Sequence, residues 1–361
     1  MSQLPEDPHT GETAWPVALA ECLGRAYGLH ACGVTFLGGE RDLNFRVATA
    51  TGELRLAKIK LSAGNGGVAR WQEEILLHLA GRALEFKVPT IVKTRDGAVR
   101  LPISAGSVTG SLTVFDWVHG TELRKVKIHD GSLLRQWGAV AAEITKALEG
   151  FPASLLDETH HWDLTRAREA IQSCAETDPG LAEESCAHEV LAWIGDFEPV
   201  LASLPRAVVH HDLNDSNVLV GSADDAGSVV GVLDFNDALY SVRIAELAVA
   251  GAYAMLRKAD PLAALGHVVA GYDRVLALTD DELRVVYPLA VARLCVQALT
   301  WTTRERASPT VYGSMRVEHT MPALRQALAI ERGVAEAHIR RVCGRGAALM
   351  GPHRPTIREG R

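Results

Sequence analysis

Three residues stand out for type and spacing. Asp212 is followed five positions later by Asn217, inside Val208-Val-His-His-Asp-Leu-Asn-Asp-Ser-Asn-Val-Leu-Val220. Asp234 ends the next apolar run, in Gly231-Val-Leu-Asp-Phe-Asn-Asp237. Two carboxylates and an amide at the ends of short strands suit phosphoryl transfer. That reaction asks little covalent help of a protein; it needs an attacking oxygen held in line and phosphate charge neutralised. Asn217 and Asp234 offer the hard oxygen donors that Mg²⁺ takes. Asp212 is left to accept the proton of an acceptor hydroxyl. The plainer alternative is a β-hairpin whose loop holds ordinary turn residues. Asp234, set at the end of a further apolar run, weighs against it. Zinc at His210-His211-Asp212 is disfavoured, because neighbours on an extended chain point opposite ways and no His-x-x-x-His is present.

The elements around these residues are legible as patterns. Residues 15–30 read as a short helix through Val17, Leu19, Ala20, Leu23 and Tyr27. Strands follow on either side of Gly38-Gly39, and Leu54-Arg-Leu-Ala-Lys-Ile-Lys60 alternates like a half-exposed strand. Residues 68–84 have helical spacing, and two more strands are expected near 99–103 and 111–118. Beyond Gly120 the pattern is mainly helical: 133–148, 181–203, 243–257, 282–302, and a last helix over 319–343 beginning near Pro322. The expected divisions are a nucleotide-binding lobe over 1–118, a catalytic and substrate lobe over 119–343, and a disordered tail over 344–361.

Bulk properties restrict the class. The 361 residues exceed the usual single-domain length, and 47% hydrophobic content supports a real core. No apolar run in the sequence approaches the roughly 18 residues of a membrane span. The first ten residues are polar, without a signal-peptide core. Six scattered cysteines with no Cys-x-x-Cys pair read as free thiols of a cytoplasmic protein. A net charge of −7 disfavours nucleic acid as the partner. No Gly-x-x-x-x-Gly-Lys-Ser/Thr is present, which argues against a P-loop enzyme.

His210-His-Asp212, Asn217 and Asp234 together resemble the catalytic core of the aminoglycoside phosphotransferase and choline kinase-like superfamily. The segments Glu40-Arg-Asp-Leu-Asn-Phe-Arg-Val47, His161-Trp-Asp-Leu164, Leu233-Asp-Phe-Asn-Asp-Ala-Leu-Tyr-Ser241 and Glu246-Leu-Ala-Val-Ala-Gly-Ala-Tyr253 are similar to its hydroxylysine kinase branch. The likeness spans residues 15 to 330. It implies an α+β, protein-kinase-like two-lobed fold: a small β-rich N-lobe and a larger, mainly helical C-lobe. His211 departs from the superfamily, which usually has Gly there.

The resemblance also implies roles on the nucleotide side. Lys58, in Leu56-Ala-Lys-Ile59, would meet the α/β-phosphates, with Lys60 a solvated neighbour. Gln72 would hold Lys58, with Glu73 the competing candidate. Gly38 and Gly39 would lie over the triphosphate, although two glycines between strands are often just a turn. Asp116, Trp117 and Val118 would form the hinge that meets the purine of ATP or GTP.

On the acceptor side, Asp237 or Glu246 would pair with a substrate ammonium, and Arg243 or Arg304 with a substrate carboxylate. Trp162, Asp163 and Tyr240 are further lining candidates. The plainer alternatives are an Arg243–Glu246 helix pair and a core Trp162. His210 is expected to bond backbone near Asp234.

The expected activity is transfer of a γ-phosphate to a hydroxyl of an amino acid or amino alcohol, with Mg²⁺, by a monomer or homodimer. An antibiotic-inactivating phosphotransferase is the alternative. A pseudokinase is disfavoured because Lys58, Asp212, Asn217 and Asp234 are all present. A protein kinase is disfavoured because no Ala-Pro-Glu follows Asp234.

Overall fold

The computed structural model describes residues 14–39, 42–61, 71–105, 108–153, 160–221 and 227–346. The first described element is helix α1 (Ala14–Cys22), which runs into a π-helical turn over Leu23–Tyr27. Strands β1 (Ala31–Gly38), β2 (Asp42–Thr49) and β3 (Leu54–Leu61) follow, then helix α2 (Trp71–Leu79) and strands β4 (Ile91–Val92), β5 (Leu101–Ala105) and β6 (Val108–Asp116). The six strands form one antiparallel sheet in the order β1-β2-β3-β6-β4, with β5 also on β6.

Alternation along β3 divides its side chains between two faces. Ala57 and Ile59 are buried with Phe45, Val47, Leu112 and Val114 against Trp15 and Leu19 of α1 and Leu23 of the π-helical turn. Lys58 and Lys60 belong to the other face. Ile75, Leu76 and Leu79 of α2 join the larger helical core instead of the sheet's own core. The helix thereby ties the sheet to the rest of the molecule.

After β7 (Thr121–Glu122) the chain is mainly helical: α3 (Gly131–Ala147), α4 (Ala167–Thr177), α5 (Pro179–Glu184) and α6 (Ala187–Leu201). Four short strands interrupt it, β8 (Arg206–Val209), β9 (Val218–Val220), β10 (Val229–Val232) and β11 (Leu239–Val242). They pair as β10-β9-β7 and β11-β8. Helices α7 (Ile244–Ala254), α8 (Pro261–Val275), α9 (Asp280–Ala307), α10 (Val311–Leu328) and α11 (Arg332–Val342) complete the fold. The architecture is the expected small β-rich lobe and larger helical lobe.

Several expected boundaries shift. The helix expected over 181–203 is two, α5 and α6, and that expected over 319–343 is also two, α10 and α11, with Pro322 inside α10. Of the helix expected over 68–84, α2 covers 71–79, and 62–70 lie outside the described residues. So do 1–13 and 347–361, which include the polar N-terminal segment and most of the expected tail.

Helices α4 and α8 had no counterpart in the sequence reading. Glycines weaken the helical signal of α8, yet they are what its packing needs. A Cβ on Gly271 would lie 1.9 Å from the Arg135 carbonyl, and one on Gly138 would lie 1.8 Å from that of Val268. The helix is still marked at its start, where Asp260 accepts from the Ala263 N–H and Pro261 takes the first turn.

Helix α9 also corrects the hydropathy reading. By length and composition it is long and apolar enough to cross a membrane, but 94% of its apolar window is buried inside the fold. It starts with a capping box between Thr279 and Glu282 and packs against α6, α7 and α10.

Candidate active site

The site is built on the turn between β8 and β9 and on the residues after β10. β8 carries the chain inward, and His210, His211, Leu213, Asn214 and Asp215 are all buried. Burial leaves backbone groups that must be paired. Glu246, at the start of α7, accepts the N–H groups of His210 (2.5 Å) and His211 (3.3 Å) with one carboxylate oxygen. His210 donates from Nε2 to the Leu233 carbonyl (2.9 Å), and its Nδ1 accepts from the Asp212 N–H (3.2 Å). One neutral tautomer satisfies both bonds. Burial, which lowers the pKa of His210, favours that neutral form. His210 therefore has the expected backbone role and ties the Asp212 turn to the Asp234 segment.

Asn214 closes the turn. Its Oδ1 accepts from the Ser216 N–H (2.7 Å) and the Asn217 N–H (3.2 Å), and its Nδ2 donates to Asp212 Oδ1 (2.9 Å). Asn217 donates from Nδ2 to Asp212 Oδ2 (2.8 Å) and to the Asp212 carbonyl (2.9 Å). Both oxygens of Asp212 are thus oriented by amides. Burial first, and the charge of Asp237 second, raise the Asp212 pKa to about 7, against the lowering influence of Arg293. A carboxylate tuned to that range suits proton acceptance near neutrality.

Two non-glycine residues here have left-handed backbones, His211 (φ 62°) and Asp234 (φ 57°). The first is a backbone that glycine adopts without strain. The His211 ring is buried, and Leu164 N–H approaches its Nε2 at 3.5 Å. Burial, then the Arg293 charge, push its pKa well below the ordinary value and keep it neutral.

Across the cleft, Lys58 Nζ lies 3.6 Å from Asp234 Oδ1 and 3.4 Å from Asp42 Oδ2. Burial alone would lower the Lys58 pKa; Asp234 and Asp42 outweigh it and hold the ammonium above the ordinary lysine value. Asn236 donates to Asp42 (3.1 Å), and Trp71 donates from Nε1 to the Asn236 carbonyl (2.9 Å). Two elements of the small lobe are thereby bonded to the Asp234 segment. Asp42 was missed as a partner of Lys58. Its place at the start of β2, after the Gly turn, gave no sign that its side chain reaches β3.

Gln72 does not hold Lys58: its side-chain oxygen is buried without a hydrogen-bond partner among the described residues. Glu73 does not either. It accepts from Thr113 (3.1 Å) and lies 3.8 Å from Lys60 and 3.9 Å from Arg100. Lys60 is accordingly not the solvated residue expected; its side chain is 15% exposed, and burial lowers its pKa against the pull of Glu73.

Gly38 and Gly39 lie at the β1–β2 turn. Gly39 has φ 149°, and a Cβ there would meet the Asp42 carbonyl at 1.9 Å, so the turn itself requires glycine. Residues 40–41 of that turn lie outside the described residues. At the expected hinge the Asp116 N–H already donates to the Thr90 carbonyl (2.8 Å). Trp117 and Val118 are half-buried.

The acceptor-side expectations need more correction. Glu246 is wholly buried beneath the turn and faces its backbone, not the cleft. Burial raises its pKa to about 8, against the two N–H bonds. Arg243 pairs with Glu282 through two bonds of 2.7 Å and donates to the Ala277 carbonyl. Neither residue is placed to meet a substrate, and the Arg243–Glu246 side-chain pair is replaced by Arg243–Glu282.

Asp163 caps the turn that follows it, accepting from the Thr165 N–H and hydroxyl and from Ser241. Tyr240 faces the surface with Arg206 over its ring. Asp237 stays near Asp212 and bonds His160 Nε2 at 2.8 Å. Trp162 is nearly buried, with the guanidinium carbons of Arg293 at 4.7 Å and Arg304 at 5.9 Å from its ring centre.

The residue the sequence did not reveal is Arg293, in the middle of α9. It reaches Asp212 Oδ1 with Nη2 at 3.4 Å. Nothing in an apolar helical run 81 positions away points to the turn. A buried Arg in such a run is the one available hint, since buried charges need partners.

Fold and site together define a phosphotransferase that uses an alcohol group as acceptor, on a protein-kinase-like scaffold. A family model described as the phosphotransferase enzyme family matches residues 33–282, and the chain belongs to that family. It is similar to hydroxylysine kinase of Mus musculus, 25% identical over 74% of this chain and 76% of the relative. It is also similar to homoserine kinase of Gluconobacter oxydans (strain 621H), 28% identical over 73% of this chain and 81% of the relative. Among solved structures, an amicoumacin kinase in complex with AMP-PNP, Ca²⁺ and Ami superposes with a TM-score of 0.63. It shares 14% identity, over 88% of this chain and 96% of that one.

Proposed function

We propose that this kinase transfers the γ-phosphoryl group of ATP or GTP to a hydroxyl of an amino acid or amino alcohol such as hydroxylysine. The observation that carries the reading is the Asp212 carboxylate, fixed by Asn214 and Asn217, on the same turn as Asn217 and joined through His210 to the Asp234 segment. In this reading Asp212 orients the acceptor hydroxyl and takes its proton. Lys58 neutralises donor phosphate charge, with Asp42 holding its ammonium in place.

The donor set fits a divalent cation. Asn217 directs its NH₂ to Asp212 and keeps its carbonyl oxygen for a ligand, while the Asp234 side chain is 44% exposed. Mg²⁺ held by these two oxygens would neutralise charge on the transferred phosphate. A nucleotide and a divalent cation together in the amicoumacin kinase complex support this assignment. Trp117 and Val118 supply the backbone for the purine, and we place the lobe divide after Val118. The six unpaired thiols support a cytoplasmic site of action.

The test is nucleoside diphosphate release with ATP and GTP in parallel, across hydroxylated amino acids, amino alcohols and antibiotics. The reading expects turnover with the first two groups. Turnover with an antibiotic alone would replace it with a drug-modifying role.

A further inference from the structure

We propose that Arg293 is the receptor for an acceptor carboxylate, so that the site selects hydroxylated amino acids over the corresponding amino alcohols. The inference rests on the phosphotransfer reading above and adds the chemical group by which the acceptor is chosen.

Arg293 is a buried charge with few bonds. Arg293 is 2% exposed. A guanidinium has five N–H donors, and one taken out of water needs them engaged. Arg293 makes two long bonds, from Nη1 to the Trp162 carbonyl (3.3 Å) and from Nη2 to Asp212 Oδ1 (3.4 Å). Its Nε is buried with no partner among the described residues. Arg316, equally buried on α10, shares the unpartnered Nε, but its other donors are held by short bonds: 2.7 Å to Asp215, 2.7 Å to Ser216 and 2.8 Å to Tyr312.

The surroundings favour a planar anion. Arg293 stacks on Trp162 at 4.7 Å and faces Tyr253 at 5.9 Å, which fixes the plane of the fork. A fork so fixed matches a carboxylate bidentately. Three carboxylates nearby have partners of their own: Asp237 bonds His160, Glu246 accepts two backbone N–H groups, and Asp215 pairs with Arg316 and Arg257. The position is also right. A hydroxyl presented to Asp212 brings neighbouring atoms of its own molecule to a guanidinium that touches the same carboxylate.

The test uses acceptor pairs that differ by one carboxylate: hydroxylysine against its decarboxylated amine, and homoserine against 3-aminopropan-1-ol. Each is assayed with wild type, Arg293→Lys, Arg293→Gln and the volume-matched Arg293→Met. Removing the guanidinium also takes a lowering influence off Asp212, so kcat/KM for acid and for amine is compared within each variant at one pH, where that common effect cancels. The readout is the acid-to-amine ratio.

Wild type is expected to favour the acid of at least one pair by roughly 30-fold or more, as loss of a buried charge contact implies. The ratio should fall toward one in Arg293→Gln and Arg293→Met, with part of it kept in Arg293→Lys. A wild type that uses amine and acid equally overturns the inference, even if no variant folds. So does a ratio kept in folded Gln and Met variants, with folding judged by the melting shift on adding nucleotide. If wild type transfers phosphate to no member of either pair, the amino-acid kinase reading fails as well, and the inference with it.

Discussion

At Asp212, burial and the nearby Asp237 hold the pKa up to about 7, and activity needs the ionised form. The acid limb of the kcat/KM profile should therefore fall near pH 7, not near 4, and a profile flat down to pH 5 would remove Asp212 from the role of base. Glu246 gives a separate, structural prediction. Its pKa is near 8 folded, against 4.5 ordinarily, so between those values the native state holds a proton the unfolded chain has lost. Stability from this group is thus present at low pH and is lost as pH rises through that window. Glu246→Gln keeps an oxygen for the two N–H donors and cannot ionise. The decline in Tm from pH 5 to 8 should be shallower in the variant, and an unchanged slope would rule this cause out. Asp212, Asn217 and Asp234 were legible because their roles are carried by type and spacing in one stretch. Arg293, Asp42 and the Glu246 contacts were not. Each acts across a long separation, and only the packing of α7, α9 and β2 brings it to the site.

The turn that carries Asp212 depends on an unusual backbone at His211, φ 62°. A β-branched residue tolerates that conformation poorly, whereas Asn adopts it readily. His211→Val should be less stable than His211→Asn by about 1–2 kcal/mol in urea unfolding, although both lose the buried ring. Equal stabilities would mean the turn relaxes. Between helices, Gly138 and Gly271 let α3 and α8 approach to backbone distance. Gly138→Ala should cost about 1–3 kcal/mol despite its better helix propensity, and a stabilised variant would contradict the close crossing. These glycines also show why the element map was incomplete. Gly266 and Gly271 lower the helical signal of α8, yet Gly271 is what its crossing with α3 requires. The merged helices over 181–203 and 319–343 have a related cause: breaks of a few residues near Ser185-Cys186 and Ile330 interrupt the backbone without interrupting the apolar pattern.

Across the whole molecule, the small sheet presents Lys58 and the helical lobe presents Asp234, 3.6 Å apart. A ligand that binds both should stabilise the folded chain. Nucleotide with Mg²⁺ should raise Tm in wild type, and Asp234→Ala should abolish the shift while Asp212→Asn keeps it. A full shift in Asp234→Ala would place the cation elsewhere. The passage from a β-rich to a mainly helical chain was legible from the change of period beyond Gly120. The bonds that join the two parts, from Trp71 to the Asn236 carbonyl and from Asn236 to Asp42, were not, because each partner looks ordinary in its own segment. The central claim is that this chain makes a phosphate ester at Asp212. It is tested most directly by incubating wild type and Asp212→Asn with γ-labelled ATP, Mg²⁺ and hydroxylysine, and following label in the acceptor. The account predicts a labelled phosphate monoester with wild type and a rate lower by about 10²–10⁴-fold in the variant, whose nucleotide-induced melting shift is intact. Ester formation at the wild-type rate in Asp212→Asn would contradict it.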